Sequence, residues 1–349
     1  MNETVQRRVW RIDRAGSLNR LKLMEEPLHP PEDGEVRVAV RSVGLNFADV
    51  FACLGLYSAT PQGAFIPGLE FAGVVEAVGG NLDWPHVGDA VAGGIRFGAY
   101  ATHLNADARY LQALPPGWSF AEGASFFVQA LTAWYAIVEL GQLKPGQTVL
   151  VHSAAGGVGL LALEIVKKLG ATPIATVGSW NKIPFLTRHS GLREDQIILR
   201  SPRHFGRQLD TALAAAGSPG LDLVLDSIAG VYFQEGYRRL SRGGRLVLFG
   251  AASMMPAGSR PNYARLALQY LRRPRIDPLQ MISENKSVMG FNLIWLWDRA
   301  DDFHRMGQEL IRLGIGPPHI GARLAFDRAP DALRRLQTGR TTGKVVLEI

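Results

Sequence analysis

The sequence predicts an α/β protein: a doubly wound parallel sheet joined to a second, β-barrel-like domain. Three observations predict it. Thr148-Val149-Leu150-Val151 is a short β-branched and apolar run that suits a buried parallel strand, and a glycine turn and an amphipathic helix follow at once. From Thr148 onward, strand and helix patterns alternate, which implies a parallel sheet. Before about residue 125 the texture is different, with short strands separated by glycine and proline turns.

The turn Ala154-Ala155-Gly156-Gly157-Val158-Gly159 carries the first functional signal. Gly156 and Gly157 allow a pyrophosphate close to the backbone, and Gly159 lets the helix lie near the strand. The helix N-terminus offers unpaired N–H groups and a positive dipole end to phosphates. Glycines alone would equally describe a tight turn without a ligand. The strand before them and the helix after them turn the pattern into a dinucleotide site. Val158, Leu161, Ala162, Ile165, Val166 and Leu169 give that helix its buried stripe, and Gly170 stops it.

Composition sets bounds. The chain has 349 residues, enough for two domains, with apolar and charged fractions of a folded protein. No apolar run is expected to reach the ~18 residues of a membrane helix. The first residues lack the apolar core of a signal peptide, so a cytoplasmic protein with no membrane partner is expected. The single cysteine, Cys53, excludes an internal disulfide and reads as a packing residue. A net charge of +7 favours anionic ligands such as a phosphorylated cofactor or a coenzyme A thioester. The same charge would loosely suit a nucleic acid, but the arginines are scattered rather than gathered into one tail, as solvated faces have them, and nucleic acid is not the expected partner.

In chain order, 36–43 alternates as a strand, and 69–78 and 90–94 continue the short-strand texture. Residues 119–140 follow helical spacing and cross between the domains. After the glycine turn come strands at 173–177 and 197–199, a helix at 204–216, a strand at 221–226 and a helix at 231–240. Gly243-Gly244 reads as a turn before a fifth strand at 245–249, whose end, Gly250-Ala251, belongs to the sheet's ligand-binding carboxyl edge. Residues 256–278 read as a helical excursion, and 286–293 as a sixth, edge strand. The tail then supplies helices at 298–314 and 329–338 and strands near 323–326 and 343–347. The expected division is 1–127, completed by 293–349, for the barrel-like domain and 128–292 for the sheet domain.

Several segments agree in order and spacing with one family. They are Gly44-Leu45-Asn46-Phe47-Ala48-Asp49, Gly55-Leu56-Tyr57, the run from Pro67 to Gly79, Val87-Gly88-Asp89-Ala90-Val91, and the glycine turn. Over nearly the whole chain the sequence resembles the medium-chain dehydrogenase/reductase superfamily, in its zinc-free quinone oxidoreductase branch. Toward the C-terminus, 277–293 and Pro318-His319-Ile320 resemble the vesicle amine transport protein branch. The resemblance implies a GroES-like catalytic domain and a Rossmann cofactor domain. Zinc-dependent relatives place ligands where this chain has Asn46, Leu69 and Gln129, so no metal is expected. The implied cofactor surroundings are Asn46, Gln129, Thr132, Ala155, Gly156, Gly157, Val158, Ser179, Lys182, Arg200, Phe249, Gly250, Phe291, Asn292 and Lys344. Relatives dimerise by joining their sixth strands, which implies a homodimer.

NAD sites of this kind carry an acidic residue about 20 positions past the turn. Here Gly178 and Ser179 stand there, and no Asp or Glu occurs between Glu164 and Glu194. Lys182, and Arg200 where relatives carry Tyr, would suit a 2′-phosphate, so NADPH is the expected cofactor; the alternative is that both are solvated charges. Without zinc, hydride transfer suits an acceptor that spreads charge onto an oxygen: a quinone, an enone or an enoyl thioester. Tyr57 is the expected proton donor, with a half-buried rim tyrosine as the alternative. Asn46 is expected to face the nicotinamide ribose or amide. Asp49 reads as a helix-start carboxylate, and His152 and His189 as structural. The competing reading of the whole is a cofactor-binding interaction or RNA-binding protein with little turnover.

Overall fold

The computed structural model describes residues 3–349. Its centre is a six-stranded, all-parallel sheet in the order Ile197–Leu199, Thr172–Val177, Thr148–Val151, Leu221–Asp226, Leu240–Leu248, Ser287–Gly290. Counted from Thr148 this is the doubly wound order, and its switch point lies between the first strand and the Leu221–Asp226 strand. Thr148–Val151 is buried at every residue, as its uninterrupted apolar run requires. Helix Gly157–Lys168 covers one face, burying Leu161, Ile165 and Val166, and helix Phe205–Ala215 covers the other with Phe205 and Leu209.

The second unit is a seven-stranded sheet around its own core of Val36, Val38, Phe71, Val91 and Tyr100. Its path runs Ile320–Ala325, Lys344–Glu348, Glu35–Gly44, Glu70–Val78, Ala90–Gly94, Leu111–Ala113, with His103–Asp107 also pairing Glu35–Gly44. The last strand of the chain therefore sits inside the first domain's sheet. A hairpin of Val5–Ile12 and Leu21–Leu28, not foreseen from sequence, is stitched to this barrel by bridges at Val9–Ala101 and Ile12–Phe65.

Three differences from the sequence reading have physical causes. Residues 119–140 do not form one helix: Phe120–Gly123 and Phe127–Trp134 are separate, and Tyr135–Leu140 widens to π-type turns. The break lets the Glu70 carboxylate cap the N–H of Val128 at 3.0 Å. This stretch is also long and apolar enough to cross a membrane, which the sequence reading did not expect, yet 72% of it is buried within the protein. Gly243-Gly244 does not precede the fifth strand but bulges inside it: Leu221 pairs with Leu240 and Leu223 with Arg245. Gly243 takes a positive φ of 81° at the bulge and donates its N–H to the Asn285 carbonyl. The sixth strand is shorter than expected, Ser287–Gly290, and it is the sheet's edge. Helix Ala300–Arg312 buries Phe303, Met306 and Leu310 in the cluster that holds Phe127, Val149 and Leu161, and the chain rejoins the barrel at Ile320–Ala325.

Candidate active site

The glycine turn has the form a pyrophosphate needs. Ser153 bends the chain with a positive φ of 51°, and the Ala154 N–H bonds the Thr176 carbonyl of the neighbouring strand. Helix Gly157–Lys168 starts at Gly156 with no side-chain cap and no acidic residue in its first turn. Its leading N–H groups are thus left for an anion. A Cβ on Gly159 would stand 2.5 Å from the Ser153 carbonyl oxygen and 2.6 Å from the Ala154 Cα, so only glycine fits. The turn is also bound to the barrel: the Gly343 N–H bonds the Ala155 carbonyl at 2.8 Å, just before the last strand. The residues present therefore fit a dinucleotide.

Beside the turn lies a buried polar cluster. The Lys344 Nζ donates to the Leu45 carbonyl at 2.5 Å, Asn46 Oδ1 at 3.1 Å and Glu70 Oε1 at 2.6 Å. The Asn46 amide donates to Glu70 Oε1 and to the Gly44 carbonyl, and Gln129 Nε2 donates to Asn46 Oδ1. All of these side chains are buried. Asn46, Gln129 and Glu70 belong to three different segments, and Lys344 pins them to the end of the chain. The sequence reading turned Asn46 and Lys344 toward the cofactor. In this fold the three Lys344 protons and both Asn46 amide groups also have protein partners. The Lys344 stem faces the turn: a Cβ on Gly157 would be 2.9 Å from its Cδ. Glu70 was not singled out from sequence, although a lone carboxylate in the apolar run Leu69-Glu70-Phe71-Ala72 is the signal that finds it. Among the described residues no three His, Cys, Asp or Glu side chains gather as a metal site.

Asp49 lies under this cluster. Its Oδ2 accepts the Asn46 N–H at 2.8 Å and the Tyr100 hydroxyl at 3.1 Å, while Oδ1 has no partner. Burial, the largest cause, raises its pKa to about 7. Cys53 is fully buried nearby, and burial pushes its thiol up, as a packing residue's would be.

Tyr57 reaches across from the barrel. Its hydroxyl donates to Asn292 Oδ1 at 2.8 Å. Asn292 and Phe291 directly follow the edge strand, and Phe291 packs on Tyr135 and Phe249. Tyr57 thus stands at the sheet's carboxyl edge, half-buried. Burial raises its pKa to about 12 against the lowering pull of the Asn292 bond and Arg96. Gly250 closes on Ser227 at the same edge: its Cβ would meet the Ser227 carbonyl at 2.9 Å. Thr132 is buried on the helix that carries Gln129.

The expected phosphate partners stand together around Gly178-Ser179. Arg200 donates to the Thr176 carbonyl at 3.3 Å and to its hydroxyl at 3.0 Å, and one guanidinium nitrogen lies 2.9 Å from where a Gly178 Cβ would be. Lys182 is buried and donates to the Gly339 carbonyl at 2.7 Å. Burial first, then Arg200, lowers the Lys182 pKa to about 8. His152 is a buried structural group bonded to Thr176, held neutral with a pKa of about 3 by burial and Arg200.

Comparison with known proteins agrees with this arrangement. Residues 32–116 match the alcohol dehydrogenase GroES-like domain family and residues 195–347 the zinc-binding dehydrogenase family. The chain is 32% identical to the synaptic vesicle membrane protein VAT-1 homolog of Danio rerio over 95% of its own length and 68% of that protein. The CurK enoyl reductase structure superposes with a TM-score of 0.82 at 26% identity, covering 99% of each chain. Mycobacterial Rv1454c, solved with NADPH, superposes equally well at 27% identity over 98% of this chain and all of that one. With a GroES-like barrel, a Rossmann sheet and these relatives, the chain belongs to the medium-chain dehydrogenase/reductase superfamily, in its zinc-free, quinone oxidoreductase-like branch.

Proposed function

We propose that this oxidoreductase is an NADPH-dependent, zinc-independent reductase of a conjugated acceptor: a quinone, an enone or an enoyl thioester. The observation that carries the reading is the Tyr57 hydroxyl, fixed by Asn292 at the sheet's carboxyl edge and kept protonated by burial. When bound, the reduced nicotinamide supplies the hydride. The chain does the rest. The uncapped start of helix Gly157–Lys168 binds the pyrophosphate, and the Lys344–Glu70–Asn46–Gln129 cluster keeps the turn and the barrel in register. As charge arrives on the acceptor oxygen, the Tyr57 hydroxyl turns its one proton from Asn292 Oδ1 to that oxygen. Hydride and proton together add two hydrogens, giving a quinol from a quinone or an enol that tautomerises to the saturated carbonyl compound.

Zinc independence is supported by Asn46, Leu69 and Gln129, none of them a thiolate or imidazole ligand, at the positions that the family resemblance assigns to zinc ligands. NADPH over NADH is supported by Lys182 and Arg200, two cations near Gly178-Ser179 that an added phosphate would relieve. It is supported too by the NADPH in the mycobacterial relative. The test is loss of reduced-cofactor absorbance, with NADPH and NADH in parallel, over a panel of quinones, enones and enoyl thioesters. At least one acceptor class should be reduced, and faster with NADPH. NADPH binding without consumption on every acceptor would instead favour a cofactor-binding interaction protein.

A further inference from the structure

Arg96 lies in Gly94-Ile95-Arg96-Phe97-Gly98, just past the Ala90–Gly94 strand. Ile95 and Phe97 turn into the barrel, where Phe97 meets Phe65 edge-on at 5.7 Å. Arg96 between them is exposed, with its guanidinium 5.3 Å from the centroid of the Trp295 ring. The Trp295 indole N–H points to the Ser58 hydroxyl at 3.4 Å. Ser58 follows Tyr57, and Trp295 lies three residues beyond the Asn292 that holds the Tyr57 hydroxyl. The two segments that position the proton donor thus also build a platform for one arginine. Its positive field reaches the phenol and opposes the rise that burial causes there.

This cation has no anion. Among the described residues Arg96 forms no ion pair, as is true of other surface arginines such as Arg242 and Arg340; what sets it apart is its place over the Trp295 ring, next to the segment that holds Tyr57. Stacking on an indole fixes the plane of a guanidinium and leaves its forked N–H donors facing outward. An arginine without a protein partner, stacked beside a catalytic hydroxyl, is suited to receive an oxyanion.

We propose that Arg96 binds an oxyanion carried by the acceptor, a carboxylate on its tail or a phosphate of a thioester carrier, and so selects anionic over neutral conjugated substrates. This rests on the reductase reading above. Arg96 is a specificity residue: it holds the far end of the acceptor while Tyr57 meets the reacting end.

The experiment uses two matched pairs. One is crotonoylbutyrate, an enone with a terminal carboxylate, against its methyl ester. The other is crotonyl-CoA against the neutral crotonyl N-acetylcysteamine thioester. Steady-state rates with NADPH should show a lower KM for the charged member of one pair by about tenfold, as a charge-assisted contact at a partly open site gives. The pair that shows it identifies the source of the oxyanion. Arg96→Gln should bring that ratio toward one through the KM of the charged member, and Arg96→Lys should restore part of it. Equal KM within both pairs in the wild type, or a ratio that survives Arg96→Gln, overturns the inference while leaving the reductase reading intact. If no acceptor is reduced, the reductase reading fails. The same ratio, read then from dissociation constants of the pairs in the presence of NADP, still decides whether Arg96 selects charge.

Discussion

At the scale of single residues, the buried Glu70–Lys344 pair is the feature with the largest energetic consequence. Both side chains are almost wholly inside, 2.6 Å apart. Removing one partner of such a pair leaves an uncompensated charge, at a cost of about 3–5 kcal/mol. Glu70→Gln should lose about that much in urea denaturation, and Glu70→Gln with Lys344→Met should recover a good part. Equal losses in the single and the double variant would contradict the assigned pairing. Each residue is a charge set among apolar neighbours, and that much is legible in Leu69-Glu70-Phe71 and Gly343-Lys344-Val345. What the sequence does not carry is that two strands, hundreds of residues apart in the chain, place the charges within bonding distance. Lys344 and Asn46, both expected beside the cofactor, are also hydrogen-bonded to one another.

Asp49 sets a pH dependence. Its pKa is about 7 in the fold, against roughly 4 in an unfolded chain. A carboxyl raised in this way contributes its stability below the unfolded value and loses it as pH rises through the folded one. Asp49→Asn cannot ionise. It should therefore gain on the wild type between about pH 4 and pH 8, by roughly 2–4 kcal/mol. His152, depressed to about 3, works the other way: its contribution is present above about 6.5 and fades as pH falls. The comparison with the variant, rather than the wild-type curve alone, isolates Asp49. A constant gap in thermal midpoint from acid to alkaline pH would remove it as the source.

At the scale of elements, the strand–turn–helix unit was the most legible part of the chain. Its strand is an apolar run, its helix has a clear stripe, and its glycines have a stated need. That need differs among them. At Gly156 a Cβ would have only the Ser153 carbonyl oxygen near it, at 3.2 Å, whereas at Gly159 it would run into the backbone of Ser153 and Ala154. Gly159→Ala should therefore destabilise the protein by about 1–3 kcal/mol, with Gly156→Ala the milder of the two in stability, whereas Gly156→Ala, at the phosphate approach, should weaken cofactor binding the more. Equal effects in urea midpoint and cofactor titration would show that close helix packing is not what Gly159 provides. The less legible elements failed for reasons of tertiary context. The 119–140 periodicity is helical throughout, but Glu70, from a strand far back in the sequence, caps a new start within it. Gly243-Gly244 has the composition of a turn and is used as a bulge, because the strand continues on both sides of it.

At the scale of the whole molecule, the exposed edge of the parallel sheet stands out. Ser287–Gly290 has one paired side only, and Leu268, Leu271, Leu279 and Ile282 are exposed on the helices that precede it, Tyr263–Leu271 and Pro278–Glu284. An open edge beside exposed apolar side chains favours pairing with a second copy. We expect a dimer by light scattering at micromolar concentration, and a monomer for Leu279→Asp with Ile282→Asp. A monomeric wild type would contradict this.

The two domains meet at Tyr57 and Asn292, and the central claim is that the hydroxyl there delivers a proton to a reduced acceptor. The most direct measurement is the turnover of Tyr57→Phe on an enone with NADPH, alongside NADPH affinity by fluorescence titration. A positioned proton donor contributes about 10²–10⁴-fold, so turnover should fall by at least about tenfold while affinity for NADPH holds. Wild-type turnover in the variant would contradict the claim and leave positioning alone to account for the rate.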